Sequence, residues 1–118
     1  MREVRTEIKI NAPAKIAWDI LIDLEKYPEW NPFTPRVDCS LEEGEKFYLD
    51  CQMNEDKLME DVPEELFEFD PENMLVKWGT DTDKRKGVKG DRTQQIIPID
   101  DKTCRYVVFE RFEGILSP

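Results

Sequence analysis

The chain has 118 residues and a formal charge of −10, from 17 basic and 27 acidic side chains, with no histidine. That length holds one domain around one core, and a negative field spread along the whole chain excludes nucleic acid as a partner, the one short basic run being Lys84-Arg85-Lys86. Without histidine there is no histidine triad, no histidine general base and no basis for most zinc sites.

Three cysteines, Cys39, Cys51 and Cys104, are odd in number and far apart, and read as unbridged, partly buried thiols of a reducing compartment. No apolar run precedes the first charges, and none approaches the roughly 20 residues a spanning helix needs. The expectation is a soluble, cytoplasmic protein with no membrane span, no metal and no cofactor.

In chain order, Glu3 to Ile10 alternates, with Val4, Thr6, Ile8 and Ile10 on one side, and predicts a half-buried strand. From Ala12 the spacing of Ile16, Ile20 and Leu24, with Ala17 and Leu21 beside them, predicts an amphipathic helix. Pro13 lies in its first turn, and Asn11 or Ala12 caps it. Tyr27-Pro28 and Asn31-Pro32 bend the chain through a very short second helix, and Tyr27 and Trp30 close one end of whatever the first helix covers.

Val37 to Leu41 and Lys46 to Met53 read as a hairpin, the second strand turning Phe47, Leu49, Cys51 and Met53 inward. Leu58 to Val62 is ambiguous, and Pro63 argues against a central strand there. Leu66 to Phe69 and Met74 to Gly79 are strands joined by Asp70-Pro71-Glu72-Asn73, where Asn73 suits a left-handed angle. Residues 80 to 87 read as an exposed loop. Val88 to Ile99 is a strand with an unusually polar middle, Arg92 to Gln95. Thr103 to Gly114 is the last, with Tyr106, Val108, Glu110 and Phe112 on one face and Val107, Phe109 and Arg111 on the other. The sum is an α+β domain, a curved antiparallel sheet of about seven strands with an N-terminal helix and a short second one.

The run EIKINAPAKIAWDILIDLEKYPEWNPF resembles the opening of the START-related helix-grip (SRPBCC) superfamily, especially its polyketide cyclase/dehydratase-like branch. The shared features are an initial strand, a small-Pro turn, a Trp-containing helix and an Asp-x-x-x-Tyr-Pro-x-Trp-x-Pro segment. The likeness continues through Asp70-Pro71, Leu75 to Gly79 with Trp78, Gly90, and Glu110-Arg111-Phe112-Glu113-Gly114. It implies a helix-grip fold in which the sheet holds a long C-terminal helix and an apolar ligand cavity lies between them. That helix would begin beyond Gly114, so a single domain over residues 1–118, truncated before it, is expected, with homo-oligomerisation through the uncovered sheet face.

Two sets of candidate site residues follow. Trp30, Phe33, Phe47, Leu49, Phe67, Phe69, Trp78, Val108 and Phe112 would line a pocket for a lipid, isoprenoid or aromatic ligand, although such residues are also ordinary core in a small β protein. Arg92, Gln94 and Glu110 share one face if the parity implied by the resemblance holds. There Arg92 would anchor a ligand carbonyl or carboxylate, or polarise an enolisable ketone, with Arg92 and Glu110 as the catalytic candidates. The competing reading is a solvent-side cross-strand ion pair. Tyr48, Tyr106 and Asp23 are the other proton-transfer candidates, and the acidic run Glu60, Asp61, Glu64, Glu65 reads as a solvated turn. The expected function is binding or carriage of a small hydrophobic ligand. The alternatives are a cyclase or dehydratase on an enolisable substrate, and a protein-interaction module that uses the open groove.

Overall fold

The computed structural model describes residues 2–31, 34–81 and 88–114, with the backbone alone for 53–54, 88–89 and 113–114. Strand β1 (Arg2–Ile10) is followed by helix α1 (Ala14–Leu21) and a 3₁₀ helix (Leu24–Glu29). Then come β2 (Arg36–Asp38), β3 (Lys46–Asn54), β4 (Lys57–Asp70), β5 (Leu75–Thr80), β6 (Val88–Pro98) and β7 (Cys104–Gly114). All seven strands form one antiparallel sheet in the order β1-β7-β6-β5-β4-β3-β2. The chain therefore leaves one edge of the sheet, crosses by way of the two helices to the other edge, and meanders back until β7 lies beside β1. That crossing places the helices on one face, called here the inner face.

Of the stripe that periodicity suggests, Ala17, Leu21 and, beyond the end of the helix, Leu24 are buried, but Ile16 and Ile20 are not. Ile16 and Ile20 are 51% and 54% exposed, while Ala14, Ala17, Trp18 and Leu21 are buried. Positions i, i+3, i+4 and i+7 form a second apolar stripe that contains the largest ring on the helix, and burying Trp18 removes more apolar surface than burying either isoleucine. Trp18 stacks on Phe69 with ring centroids 6.0 Å apart. Pro13 itself is the N-cap, one residue beyond the expected cap, and α1 ends at Leu21, where Ile22 is its C-cap. The short second helix is present as expected, with Pro28 inside it.

Strand β4 runs unbroken for 14 residues through Pro63, contrary to the expected interruption. The Pro63 carbonyl accepts the Asp81 N–H at 3.3 Å. Its ring nitrogen thus faces the side on which β5 has already ended at Thr80, so the missing donor breaks no ladder bond. A bulge near Asp61, whose φ is +54°, and another near Phe67 bend this strand. The acidic run Glu60 to Glu65 is consequently strand and not turn.

Three smaller expectations also change. The left-handed residue after Pro71 is Met74, at φ +51°, and not Asn73. The Asn73 side chain instead donates to Asp70 Oδ2 at 2.7 Å and its N–H to Asp70 Oδ1 at 3.3 Å, which closes the turn one residue earlier. Thr80 and Asp81 are buried, not part of an exposed loop, and Lys46 Nζ lies 3.4 Å from Asp81 Oδ1; residues 82–87 lie outside the described residues. Strand β1 is exposed on both faces from Arg2 to Lys9, not half-buried, because at the sheet edge neither helix covers it.

Candidate functional site

Trp78 lies 6.4 Å from the ring of Tyr27 in the 3₁₀ helix, which fixes its side of β5 as the inner face. Arg92 is directly opposite Trp78, Glu110 opposite Arg92, and Val4 opposite Glu110. Two residues along, Val76, Gln94, Val108 and Thr6 form the next row, and Ile96, Tyr106 and Ile8 the one after it. Period-two alternation thus puts Arg92 and Gln94 of the polar middle of β6 on the inner face and Thr93 and Gln95 on the outer one.

Four polar groups of these rows form two neighbouring pairs. Arg92 Nη2 is 2.9 Å from Glu110 Oε1, with side chains 31% and 25% exposed. The Tyr106 hydroxyl donates to Oε1 of Gln94, whose side chain is 2% exposed. Tyr27 is buried beside them; its hydroxyl makes no hydrogen bond of acceptable geometry, although Gln94 is close enough to favour its ionised form slightly. Burial is the main cause of a raised phenol pKa at both tyrosines. Tyr106 is pushed up to about 12, with Arg92 opposing the shift and Glu110 adding to it. Tyr27 goes higher still, with Tyr106 as the second cause. Near neutral pH both phenols are therefore protonated donors. The one carboxylate of the group is already engaged by a guanidinium.

The apolar surroundings divide into a closed end and an open end. Phe47, Leu49, Leu66, Val76 and Trp78 are buried core, with Phe47 edge-on to Trp78 at 5.8 Å. Toward β1 the inner face is uncovered among the described residues: Val4 and Ile8 are exposed, Phe112 is 40% exposed, and Val108 is half-buried. Trp30 stands at the rim, edge-on to Tyr27 at 4.9 Å. Arg92 and Glu110 lie between the two ends.

Of the expected lining, Phe47, Leu49, Phe69 and Trp78 are on the inner face but belong to the core, and Val108 and Phe112 face the opening. Phe67 is a correction. The bulge between Leu66 and Glu68 turns it to the outer face, where its ring covers Gly79 so closely that a Cβ there would lie 2.6 Å from Phe67 Cε2 and 2.4 Å from the Gly90 carbonyl. Phe33 lies outside the described residues. Arg92, Gln94 and Glu110 share the inner face as the parity expects, Arg92 and Glu110 as a partly exposed cross-strand ion pair.

Tyr27 is expected only as an end plug, and Tyr106 as a proton-transfer candidate on the face of Glu110; the signal for both is their position under or opposite a polar strand. Asp23 is exposed at the start of the 3₁₀ helix and Tyr48 is exposed on β3, both away from this group. No group of three or more potential metal ligands occurs among the described residues. No helix of the described residues is long and apolar enough to cross a membrane. None of the three cysteines forms a disulfide, and Cys39 lies just beyond β2, not within a strand.

Comparison with solved structures supports the same fold. The ZhuI aromatase/cyclase from Streptomyces sp. R1128 superposes with a TM-score of 0.78 at 19% identity, covering 99% of this chain and 70% of that one. A START superfamily protein from Mycobacterium smegmatis gives 0.74 at 16% identity, covering 98% and 79%. The di-domain ARO/CYC protein BexL of the BE-7585A biosynthetic pathway gives 0.76 at 19% identity; 98% of this chain is covered, but the chain spans only 37% of that protein. At these identities the likeness is one of fold. No curated protein matches by sequence. A family profile described as "Polyketide cyclase / dehydrase and lipid transport" matches residues 1–117. With nearly its whole length so matched, and a helix-grip sheet beneath it, the chain belongs to the polyketide cyclase/dehydrase and lipid transport family.

Proposed function

We propose that the protein binds a small amphipathic molecule of the lipid, isoprenoid or aromatic class on its inner sheet face. The apolar body of the ligand lies against Val4, Ile8, Val108 and Phe112, and a polar oxygen is directed to Arg92. The observation that carries this reading is a cluster of two polar pairs, Arg92 with Glu110 and Gln94 with Tyr106, set beside apolar residues on a face that is uncovered on its β1 side among the described residues. Such a pattern suits ligands with a large greasy part and few hydrogen-bonding atoms. Membership of a family of cyclases, dehydrases and lipid transporters supports ligand binding or cyclase chemistry in general.

Binding without turnover is favoured over catalysis by the state of the polar groups. Proton abstraction beside a carbonyl needs a base, yet Glu110 is engaged by Arg92 and both phenols hold their protons. The second reading, a cyclase or dehydratase, draws support from the same pair: Arg92 would polarise a ligand carbonyl and, in doing so, release Glu110 to take a proton.

Titration with cis-parinaric acid, which has a long apolar body and one carboxylate, tests the site. Saturable binding is expected, weakened at least about tenfold by Val108→Arg in a protein whose thermal melt stays cooperative. Non-saturating fluorescence, or equal binding by the folded variant, overturns the site. Arg92→Met separates the two readings: a carrier keeps its affinity for uncharged apolar probes, whereas an enzyme loses turnover.

A further inference from the structure

The two edges of the sheet differ. β2 is three residues long, too short to recruit another strand. β1 is nine residues long and pairs with β7 without a bulge from Arg2 opposite Phe112 to Ile10 opposite Cys104, so its outer edge is a straight row of N–H and C=O groups. It contains no proline, and Arg2 to Lys9 are exposed on both faces. Long exposed edges are usually protected by such devices; here only the charges remain.

Those charges are arranged as a palindrome about Thr6. Glu3, Arg5, Glu7 and Lys9 point to the outer face, and Val4, Thr6 and Ile8 to the inner. If a second β1 lies antiparallel with Thr6 opposite Thr6, Glu3 faces Lys9 of the second copy, Arg5 faces its Glu7, and Val4 faces its Ile8. By symmetry each contact occurs twice, as a two-fold interface requires. Sliding the strands by two residues either way sets Arg5 against Arg5 with Glu3 against Glu7, or Glu7 against Glu7 with Arg5 against Lys9. Longer slides restore some opposite pairs but shorten the overlap. Parallel pairing in register sets every charge against its like. Opposite charges directly across a ladder stabilise it and like charges destabilise it, so the pattern selects one register and opposes its nearest rivals.

We infer that β1 is a homodimerisation edge: two copies join antiparallel through β1, centred on Thr6, into one continuous sheet. Within each copy Arg105 already lies 3.4 Å from Glu7, and Arg111 3.8 Å from Glu3. In the dimer each of these carboxylates sits between an arginine of its own β7 and a cation of the second copy. The two-fold axis runs perpendicular to the sheet, so both inner faces open on the same side, with Val4 and Ile8 forming an apolar row across the join.

Sedimentation velocity of the full chain over a dilution series tests this. Wild type is expected to shift from dimer to monomer on dilution. Arg5→Glu/Lys9→Glu makes the outer face of β1 wholly acidic, and Glu3→Lys/Glu7→Lys makes it wholly basic; each alone is expected to weaken the dimer at least about tenfold, while an equal mixture of the two associates. A wild type that stays monomeric at every concentration, or a dimer indifferent to both variants, overturns the inference. If either variant melts without cooperativity, amide hydrogen exchange on the wild type reads the same contact. Protection in β1 must rise with protein concentration, and protection independent of concentration overturns the inference.

Discussion

Gln94 occupies the most demanding position on the inner face. A buried amide must find partners inside the protein, and its Oε1 is satisfied by the Tyr106 hydroxyl. Tyr106→Phe removes that donor while keeping the ring, and should destabilise the protein by about 1–3 kcal/mol, measured by urea unfolding. Little or no loss would mean that water replaces the hydroxyl and that this end of the face is wet. Arg92, Gln94 and Glu110 were legible in the sequence because parity along a regular strand is a count by twos, and neither β6 nor β7 contains a register shift between them. Phe67 was not legible for the same reason in reverse: one extra residue in β4 turns it to the other face, and nothing in the local residue types marks where a bulge falls. Tyr27 could not be assigned because the polar groups beside it, Gln94 and Tyr106, come from strands more than 60 residues away in sequence.

At the level of elements, α1 contains two apolar stripes, and periodicity alone does not choose between them. The choice is made by the surface the helix meets: Phe69 on the sheet offers a stacking partner for Trp18, and the isoleucines are left outside. Trp18→Ala is therefore expected to cost about 3–5 kcal/mol, and Ile16→Ala no more than about 0.5, in parallel thermal or urea melts. Equal costs would mean that the helix is rolled by roughly a quarter turn from the orientation seen here. Strand existence was legible throughout, since alternation and turn residues marked at least part of each of the seven strands. Strand length was not, because Pro63 reads as a breaker unless it is known that β5 has ended beside it.

For the molecule as a whole, the titrating groups leave neutral pH almost untouched. There is no histidine, the side chain that ordinarily titrates between pH 5 and 8. On the acid side, four carboxylates are held below their usual range. The Arg36 guanidinium lowers Asp50, the Asn73 side chain lowers Asp70, and backbone N–H groups of Lys102 and Ser40 lower Asp100 and Glu45. Each contributes stability that is present above its unfolded pKa, near 4, and is lost as pH falls through its folded value. On the alkaline side, burial raises the Cys39 thiol to about 11 and Tyr106 to about 12. Their contribution is full below the unfolded values, near 9 and 10, and is lost as pH rises through the folded ones. The urea midpoint is thus expected to be flat from about pH 5 to 8.5 and to fall on both sides. The acid fall overlaps the isoelectric point near 4.5, where net charge no longer keeps copies apart, so unfolding there should be accompanied by precipitation. Tyr106→Phe should shift the whole curve down and flatten only the part of the alkaline decline above about pH 10, leaving the acid limb unchanged. A midpoint that slopes through neutral pH, or an alkaline decline the same in both proteins, would show that Tyr106 is not held protonated by burial in the inner face.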